Sequence, residues 1–239
     1  MPIGPIINGL AIILGGFLGA FFQNKIPNRL CKVMPLTFGV ASMGMGVNSI
    51  IKIDSLPPVI LSLLIGSAIG EIIKLEKGIE WCVNKIRTPT EWFFFKDRSS
   101  NVNEDVMEKF IAIVVLFCTS GTGIFGALNE GITGEASLLI SKAFLDLFTA
   151  AIFATTLGYL VMTIAIPQFL VMITLFFSAG TILPLTEPYM INDFSAVGGL
   201  IMLATGFRIS GIKSFPIGNM LPALIIAMPI SKLFAILFS

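Results

Sequence analysis

The chain has 239 residues, of which 55% are hydrophobic and 12% charged, with a mean hydropathy of +0.94. A typical soluble domain carries about 25% charged residues, so this chain cannot coat a soluble globule, and several nearly uncharged windows of roughly 18 or more residues indicate an all-α, multi-pass integral membrane protein. The net charge of +1 has no separate basic cluster to point to nucleic acid, and no nucleic-acid partner is expected; the absence of histidine removes haem ligation and most zinc sites and disfavours the common hydrolase triads; and the odd, scattered set Cys31, Cys82 and Cys118 argues against a disulfide framework or a thiolate metal site.

The first apolar run, Ile6–Phe22, has glycines at 9, 15, 16 and 19, the small-residue spacing of closely packed membrane helices. It lacks the basic start of a cleavable signal and reads as a retained helix. A basic loop, Lys25–Lys32, leads to a second run, Pro35–Ile51, and a short turn leads to a third, Val59–Ile73. Residues 74–109 form a hydrophilic segment with Trp81, Trp92 and Phe93–Phe95 beside basic residues, as expected for a cytoplasmic loop at the membrane interface.

The fourth run starts near Phe110 and enters FCTSGTGIFGALNEGITGE (117–135), rich in glycine and hydroxyl groups. Broken backbone is tolerated in lipid only where protein buries it or a wet cavity adjoins it. Thr119, Ser120, Gly121, Thr122 and Gly123 therefore either end or unwind a half-helix and form a site, or simply pack helices closely. Asn129 and Glu130 are candidates for the same site, or an exposed outer turn. The fifth run, Leu138–Ile164, carries Lys142 and Asp146 one turn apart and is closed by Pro167. A carboxylate at this depth needs a partner; the pair is either a structural ion pair with Lys142 snorkelling or a cation or proton site. The sixth run is Phe169–Leu183; an acidic turn, Glu187–Asp193, precedes the seventh, Phe194–Ile209, and the eighth, Met220–Phe238, is interrupted by Pro222 and Pro229.

With about eight transmembrane helices, twelve of the fifteen basic residues fall on one side, leaving Lys52, Lys142 and Lys232 on the other. That bias places both termini outside. Arg208 and Lys213 read as inner anchors and Glu71 as an inner interface residue, with Asn8, Asn48 and Asn219 available for bonds between helices. A shift of 160 residues lays Gly39 on Gly199 and Gly46 on Gly206, helix one on helix six, and the turn before helix three on Pro216-Ile217-Gly218. Helices 1–3 and 6–8 would then form an inverted 3+3 repeat joined by helices 4–5, as in transporters whose sites lie between the halves.

LFCTSGTGIFGALNEGITGE (116–135), KAFLDLFTA (142–150), DFSAVGGLIMLATGFRISGIK (193–213) and NMLPALIIAMP (219–229) resemble the YqgA/YdfK-like family of bacterial multi-pass membrane proteins. The resemblance runs from Gly4-Pro5 to the last helix and is faintest over 74–109. It implies a protein of the bacterial cytoplasmic (inner) membrane and supplies neither an activity nor a catalytic residue.

The expectation is a single membrane domain over 1–239: three helices in 1–73, the loop 74–109, central helices with the break in 110–164, and three helices in 165–239. Its function would be that of a small secondary transporter or channel-like protein for a solute or ion, with the site between the helix-four break and Asp146. A scaffold or sensor acting through its glycine faces and the 74–105 loop is the alternative. No enzyme activity, cofactor or metal is expected; the partners are the lipid bilayer, a small solute or ion, and a second copy in a homodimer.

Overall fold

The computed structural model describes residues 1–22, 25, 27–79, 81, 110, 113–114, 116–118, 120–182 and 186–238. Its main elements are helical: α1 (Ile3–Phe21), α2 (Asn28–Ile50), α3 (Leu56–Ile73), α4 (Gly121–Thr133), α5 (Ser137–Leu157), a 3-10 segment (Gly158–Ile164), α6 (Ala165–Ile182), α7 (Pro188–Ile209), α8 (Ile217–Met220) and α9 (Pro222–Phe238). Among the described residues, six stretches are long and apolar enough to cross a membrane. Large apolar side chains such as Leu14, Leu64, Phe144, Phe177 and Ile225 are exposed, whereas Asn8, Ser42, Glu130, Lys142, Asp146, Gln168 and Asp193 are buried. An apolar exterior around a partly polar interior suits lipid as the surrounding solvent.

One of the six stretches, Ser137–Gly180, spans 44 residues. As a single helix at 1.5 Å per residue it would be about twice the hydrocarbon thickness. It folds back instead. Gly158 closes α5 at φ 61, ψ −149, a conformation open essentially to glycine alone, and the 3-10 segment and α6 return along α1, with Gly16 against Met162 and Gly9 against Phe169, so that Gln168 meets Asp146. The fifth run therefore ends at Leu157 and not at Ile164, and Pro167 lies in the first turn of α6, where its missing N–H costs nothing. Gly158→Ala is expected to lower stability by about 1–3 kcal/mol, measurable as a reduced melting temperature in detergent.

Other boundaries move for similar reasons. Helix α2 begins at Asn28, so Arg29 and Lys32 lie on a helix and not in a loop, and Pro35 sits inside it. Helix α7 begins at Pro188, so the acidic turn is part of the helix; Asp193 is buried and accepts hydrogen bonds from the backbone N–H groups of Asp54 (3.1 Å) and Ser55 (2.9 Å) and from the Ser231 hydroxyl (2.6 Å). The sequence places Asp193 in a turn, but its carboxylate satisfies the start of α3 from within another helix.

Glycines set the helix pairing. In α1, Gly15 and Gly19 lie against the backbone carbonyls of Leu147 and Ala151, so α1 and α5 run in the same direction. Gly39 lies on Gly206 and Gly46 on Gly199, which makes α2 and α7 antiparallel; Gly66 on Ala223 and Gly70 on Asn219 do the same for α3 with α8 and α9. Helix α4 pairs antiparallel with α5 (Gly126 on Leu139) and parallel with α6 (Gly123 on Met172, Gly131 on Phe176 and Ala179). The start of α1 and the end of α9 consequently fall at one end of the bundle, with the Lys52–Glu135 ion pair (3.7 Å). At the opposite end, Arg208 donates to Glu76 Oε1 (2.5 Å) and to the Phe215 carbonyl (3.2 Å), while Asn219 joins Glu71 (2.6 Å) to the Glu76 N–H (2.8 Å). Arg208 is thus an ion-pair partner as well as a basic residue at a helix end.

Candidate functional site between the half-helix and Asp146

Helix α4 is a half-helix that starts inside the bundle. Ser120, in an extended conformation (ψ 117), is its N-cap and accepts a hydrogen bond from the Gly123 N–H at 3.4 Å; serine is among the preferred residues for this task. The depth of this start follows from Thr122, which is buried and bonds the Ser42 hydroxyl at 3.3 Å, while Ser42 donates to the Met202 carbonyl at 3.1 Å. Ser42 and Met202 are central in α2 and α7. The first-turn N–H groups and the positive end of the helix dipole are therefore held in mid-bundle.

The motif's glycines also pack closely. A Cβ on Gly121 would lie 2.7 Å from Ile201 and 2.8 Å from Thr205; one on Gly123 would lie 2.9 Å from both the Lys142 Cε and the Met172 Cε. Breaking the helix and packing it are two roles of one sequence. Thr119 lies outside the described residues.

Beside this half-helix, the Asp146 carboxylate collects three donors on Oδ2: the Lys142 ammonium, the Asn8 amide at 2.8 Å and the Gln168 amide at 2.9 Å. Gln168 also donates to Asn8 Oδ1 at 2.7 Å. Asn8, Lys142, Asp146 and Gln168 are exposed by only 0%, 2%, 8% and 1%, so the four groups form a nearly dry polar cluster within apolar walls. The Lys142 Nζ stands 5.7 Å from the centroid of the Phe117 ring. Snorkelling is therefore excluded: the lysine points inward and its charge is balanced where it lies. Gln168 Oε1 is buried without a hydrogen-bond partner. Both neighbours of its amide nitrogen are acceptors, so rotating the amide would replace two bonds with two repulsions.

The exposed-turn reading of Asn129 and Glu130 is corrected. Both lie inside α4 and are buried. Glu130 accepts the Gly4 N–H on both carboxylate oxygens at 3.1 Å, capping α1 from another helix, and Asn129 bonds Thr133 (3.4 Å). Their hydrogen bonds thus serve helix ends; of the other predicted residues, Ser120 caps Gly123, Gly123 lies against the Lys142 side chain, Lys142 pairs with Asp146, and Thr122 meets Ser42 instead. Glu130→Gln keeps the shape and removes the charge from the α1 N-terminus; a loss of about 1 kcal/mol is expected, read as a drop in melting temperature.

Two members of the cluster were missed as site residues. Asn8 reads from sequence only as a residue available for bonds between helices, and Gln168 falls between two runs, behind Pro167. One signal was at hand: the shift of 160 residues that aligns helix one with helix six superimposes Asn8 on Gln168.

The fold and this interior define an all-helical, multi-pass membrane protein with a buried ion pair. Residues 3–232 match the family model described as "Protein of unknown function (DUF554)", and the chain belongs to that family. It is 51% identical over 231 residues to the "Uncharacterized protein YqgA" of Escherichia coli strain K12, covering 97% of each chain. It is 30% identical over 227 residues to the "Uncharacterized membrane protein YdfK" of Bacillus subtilis strain 168, covering 93% of each. No solved structure matches. The resemblance to the YqgA/YdfK-like family is thereby established for almost the full chain.

Proposed function

We propose that the protein is a small secondary transporter or channel-like protein, not an enzyme, with its site between the N-terminus of α4 and the Asp146 cluster. The single observation that carries this reading is a charged pair and two amides, sealed from the surroundings, beside a half-helix that starts in mid-bundle. Discontinuous helices and intramembrane ionisable groups are costly and mark substrate or ion pathways.

An inverted repeat supports it. Under the 160-residue shift, α1 corresponds to α6, α2 to α7, and α3 to α8 with α9. Gly39 packs on Gly206, the equivalent of Gly46, and Gly46 packs on Gly199, the equivalent of Gly39. Such reciprocity is what a two-fold axis produces. A residue touches its own equivalent only on the axis, and two hydrogen-bonded pairs are separated by 160 residues: Asn8 with Gln168, and Ser42 with Met202. The antiparallel pairing of α2 and α7 puts this axis in the membrane plane. The central helices deliver one polar group to each crossing point, Asp146 to the first and Thr122 to the second. The candidate site thus lies between two inverted units, in an eight-span topology with both termini outside the bacterial inner membrane.

A panel of ions and small solutes, assayed for flux in proteoliposomes, tests the reading. Expected is at least one substrate whose flux exceeds that of empty vesicles and falls to background in Asp146→Asn. Wild-type flux that survives this substitution removes Asp146 from the mechanism.

The scaffold reading has one specific support. Gly44 and Asn48 are exposed on the outer face of α2, one helical turn apart, a small residue and an amide of the kind that join membrane helices. A homodimer through this face is its natural form, testable by cross-linking from a cysteine at position 44.

A further inference from the structure

We propose that the short helix α8 is a lid over the N-terminus of α4, latched by the Arg208–Glu76 ion pair and released at the end of the bundle that carries Arg208; this rests on the reading of the half-helix and the Asp146 cluster as a transport site and names the side from which that site is reached. The contact that makes α8 a cover is with Gly121. A Cβ there would lie 3.2 Å from Ile217 Cγ2 and 2.8 Å from Thr205 Oγ1, so the first residue of α8 and the end of α7 close over the first residue of α4. Ile217 is itself buried. Arg208 follows Thr205 by three residues, about 4.5 Å along the helix axis. It donates to the Phe215 carbonyl at 3.2 Å, which sets residues 215–217 beside the last turn of α7, on the Arg208 side of the half-helix. The cover on this side is therefore about one helical turn deep. Toward the opposite end α4 itself continues for 13 residues, about 20 Å.

The latch is built to release. Helix α8 has only four residues, and α9 starts anew at Pro222, which has no N–H to continue a helix from α8. The partners of α8 come from the segment that follows α3. Asn219 donates to Glu71 Oε2 at 2.6 Å and accepts the Glu76 N–H at 2.8 Å, and a Cβ on Gly218 would lie 2.8 Å from the Glu76 Cβ. Lys74 turns the chain between α3 and this segment. At φ 52 it is the one non-glycine residue with a positive φ among the described residues, a costly conformation that persists where surrounding contacts hold it. The ion pair is also incomplete: Oε1 of Glu76 takes Arg208, while Oε2 is buried with no hydrogen-bond partner among the described residues. The Arg208 side chain is 36% exposed, so its guanidinium passes to water at little cost. The closure at the other end differs, since the Asp193 carboxylate is 1% exposed and holds three donors. Of the two, the Arg208–Glu76 contact is the one that yields.

The test reads access to position 205, buried beside Gly121, and needs no substrate. In the full-length chain carrying Cys31→Ser, Cys82→Ser and Cys118→Ser, Thr205→Cys is labelled with a membrane-impermeant cationic methanethiosulfonate in sealed membrane vesicles of either orientation. Lys213→Cys, exposed just beyond α7, identifies the face that carries Arg208. With the latch intact, labelling should be slow from both faces. Arg208→Ala or Glu76→Ala should raise the rate at least tenfold from the Arg208 face and leave the other face unchanged, and the double variant should match either single, since each cuts the same latch. One measurement needs no latch variant: raising the salt to about 1 M screens a part-exposed ion pair and should speed labelling from the Arg208 face alone. The proposal is overturned if neither salt nor a latch variant that inserts changes the rate, or if labelling rises equally from both faces. Failure here is separable from failure of the transport reading. Flux that depends on Asp146, found with labelling that no latch change alters, would remove the lid and leave the transport site; labelling as expected, with no flux of any solute, would keep the lid and remove transport.

Discussion

Alanine at Asp146 is expected to destabilise the protein by about 3–5 kcal/mol, because it leaves the Lys142 ammonium uncompensated at 2% exposure. The amides of Asn8 and Gln168 lose their shared acceptor in the same step. This is a cost of stranding charge and not a measure of what the pair contributes. Removing both charges together, as Lys142→Met with Asp146→Leu, should be far less damaging, since a well-packed apolar pair often replaces a buried ion pair at little or no cost. Equilibrium unfolding of wild type, both single variants and the double variant gives the coupling directly. A double variant as unstable as the sum of the singles would contradict the pair. If the double variant is stable but transports nothing, the ion pair is present for function, since stability does not require it.

The crossing of α2 and α7 is the second place where a small change should have a large effect. A Cβ on Gly46 would lie 2.6 Å from the Gly199 carbonyl oxygen and 2.9 Å from the Leu203 nitrogen, and one on Gly199 would lie 2.5 Å from the Gly46 carbonyl oxygen. These are backbone atoms, so relief requires the helices to separate. Gly46→Ala is expected to cost about 1–3 kcal/mol, the usual range for overpacking, and Gly46→Leu to prevent folding. The control is two residues away on the same helix: a Cβ on Gly44 meets nothing within 4 Å, and Gly44→Ala should stay within about 0.5 kcal/mol of wild type. The damage reaches beyond stability, because Ser42 and Thr122 meet at this crossing. Gly46→Ala should reduce any transport activity more than its melting temperature alone accounts for.

The helical class and the apolar runs were legible because hydropathy acts residue by residue, and the importance of 117–135 was legible because glycine and hydroxyl groups are dear in lipid. Boundaries were less so. The reversal at Gly158 is invisible to hydropathy, since Leu157, Tyr159 and Leu160 continue the apolar pattern across it; the positive φ of one glycine and the 3-10 segment it opens separate two helices there. Charge misled in a consistent direction. Glu130 and Asp193 look from sequence like outer-turn residues, yet each carboxylate is buried on the start of a helix far away in the chain, and nothing local encodes that partner. Lys142 and Asp146 could be paired from their spacing. Asn8 and Gln168 could be paired only through the 160-residue shift and not from local spacing, because their meeting depends on three helices closing around one oxygen.

The most direct measurement of the central account is flux of a panel of ions and small solutes in proteoliposomes, comparing wild type, Asp146→Asn and empty vesicles, with each protein's insertion and monodispersity matched beforehand. For at least one of these substrates, wild type should give flux well above that of empty vesicles, and Asp146→Asn should fall to the rate of the empty vesicles. Flux through Asp146→Asn at the wild-type rate, or a wild type that matches empty vesicles for every ion and solute tried, would contradict the account.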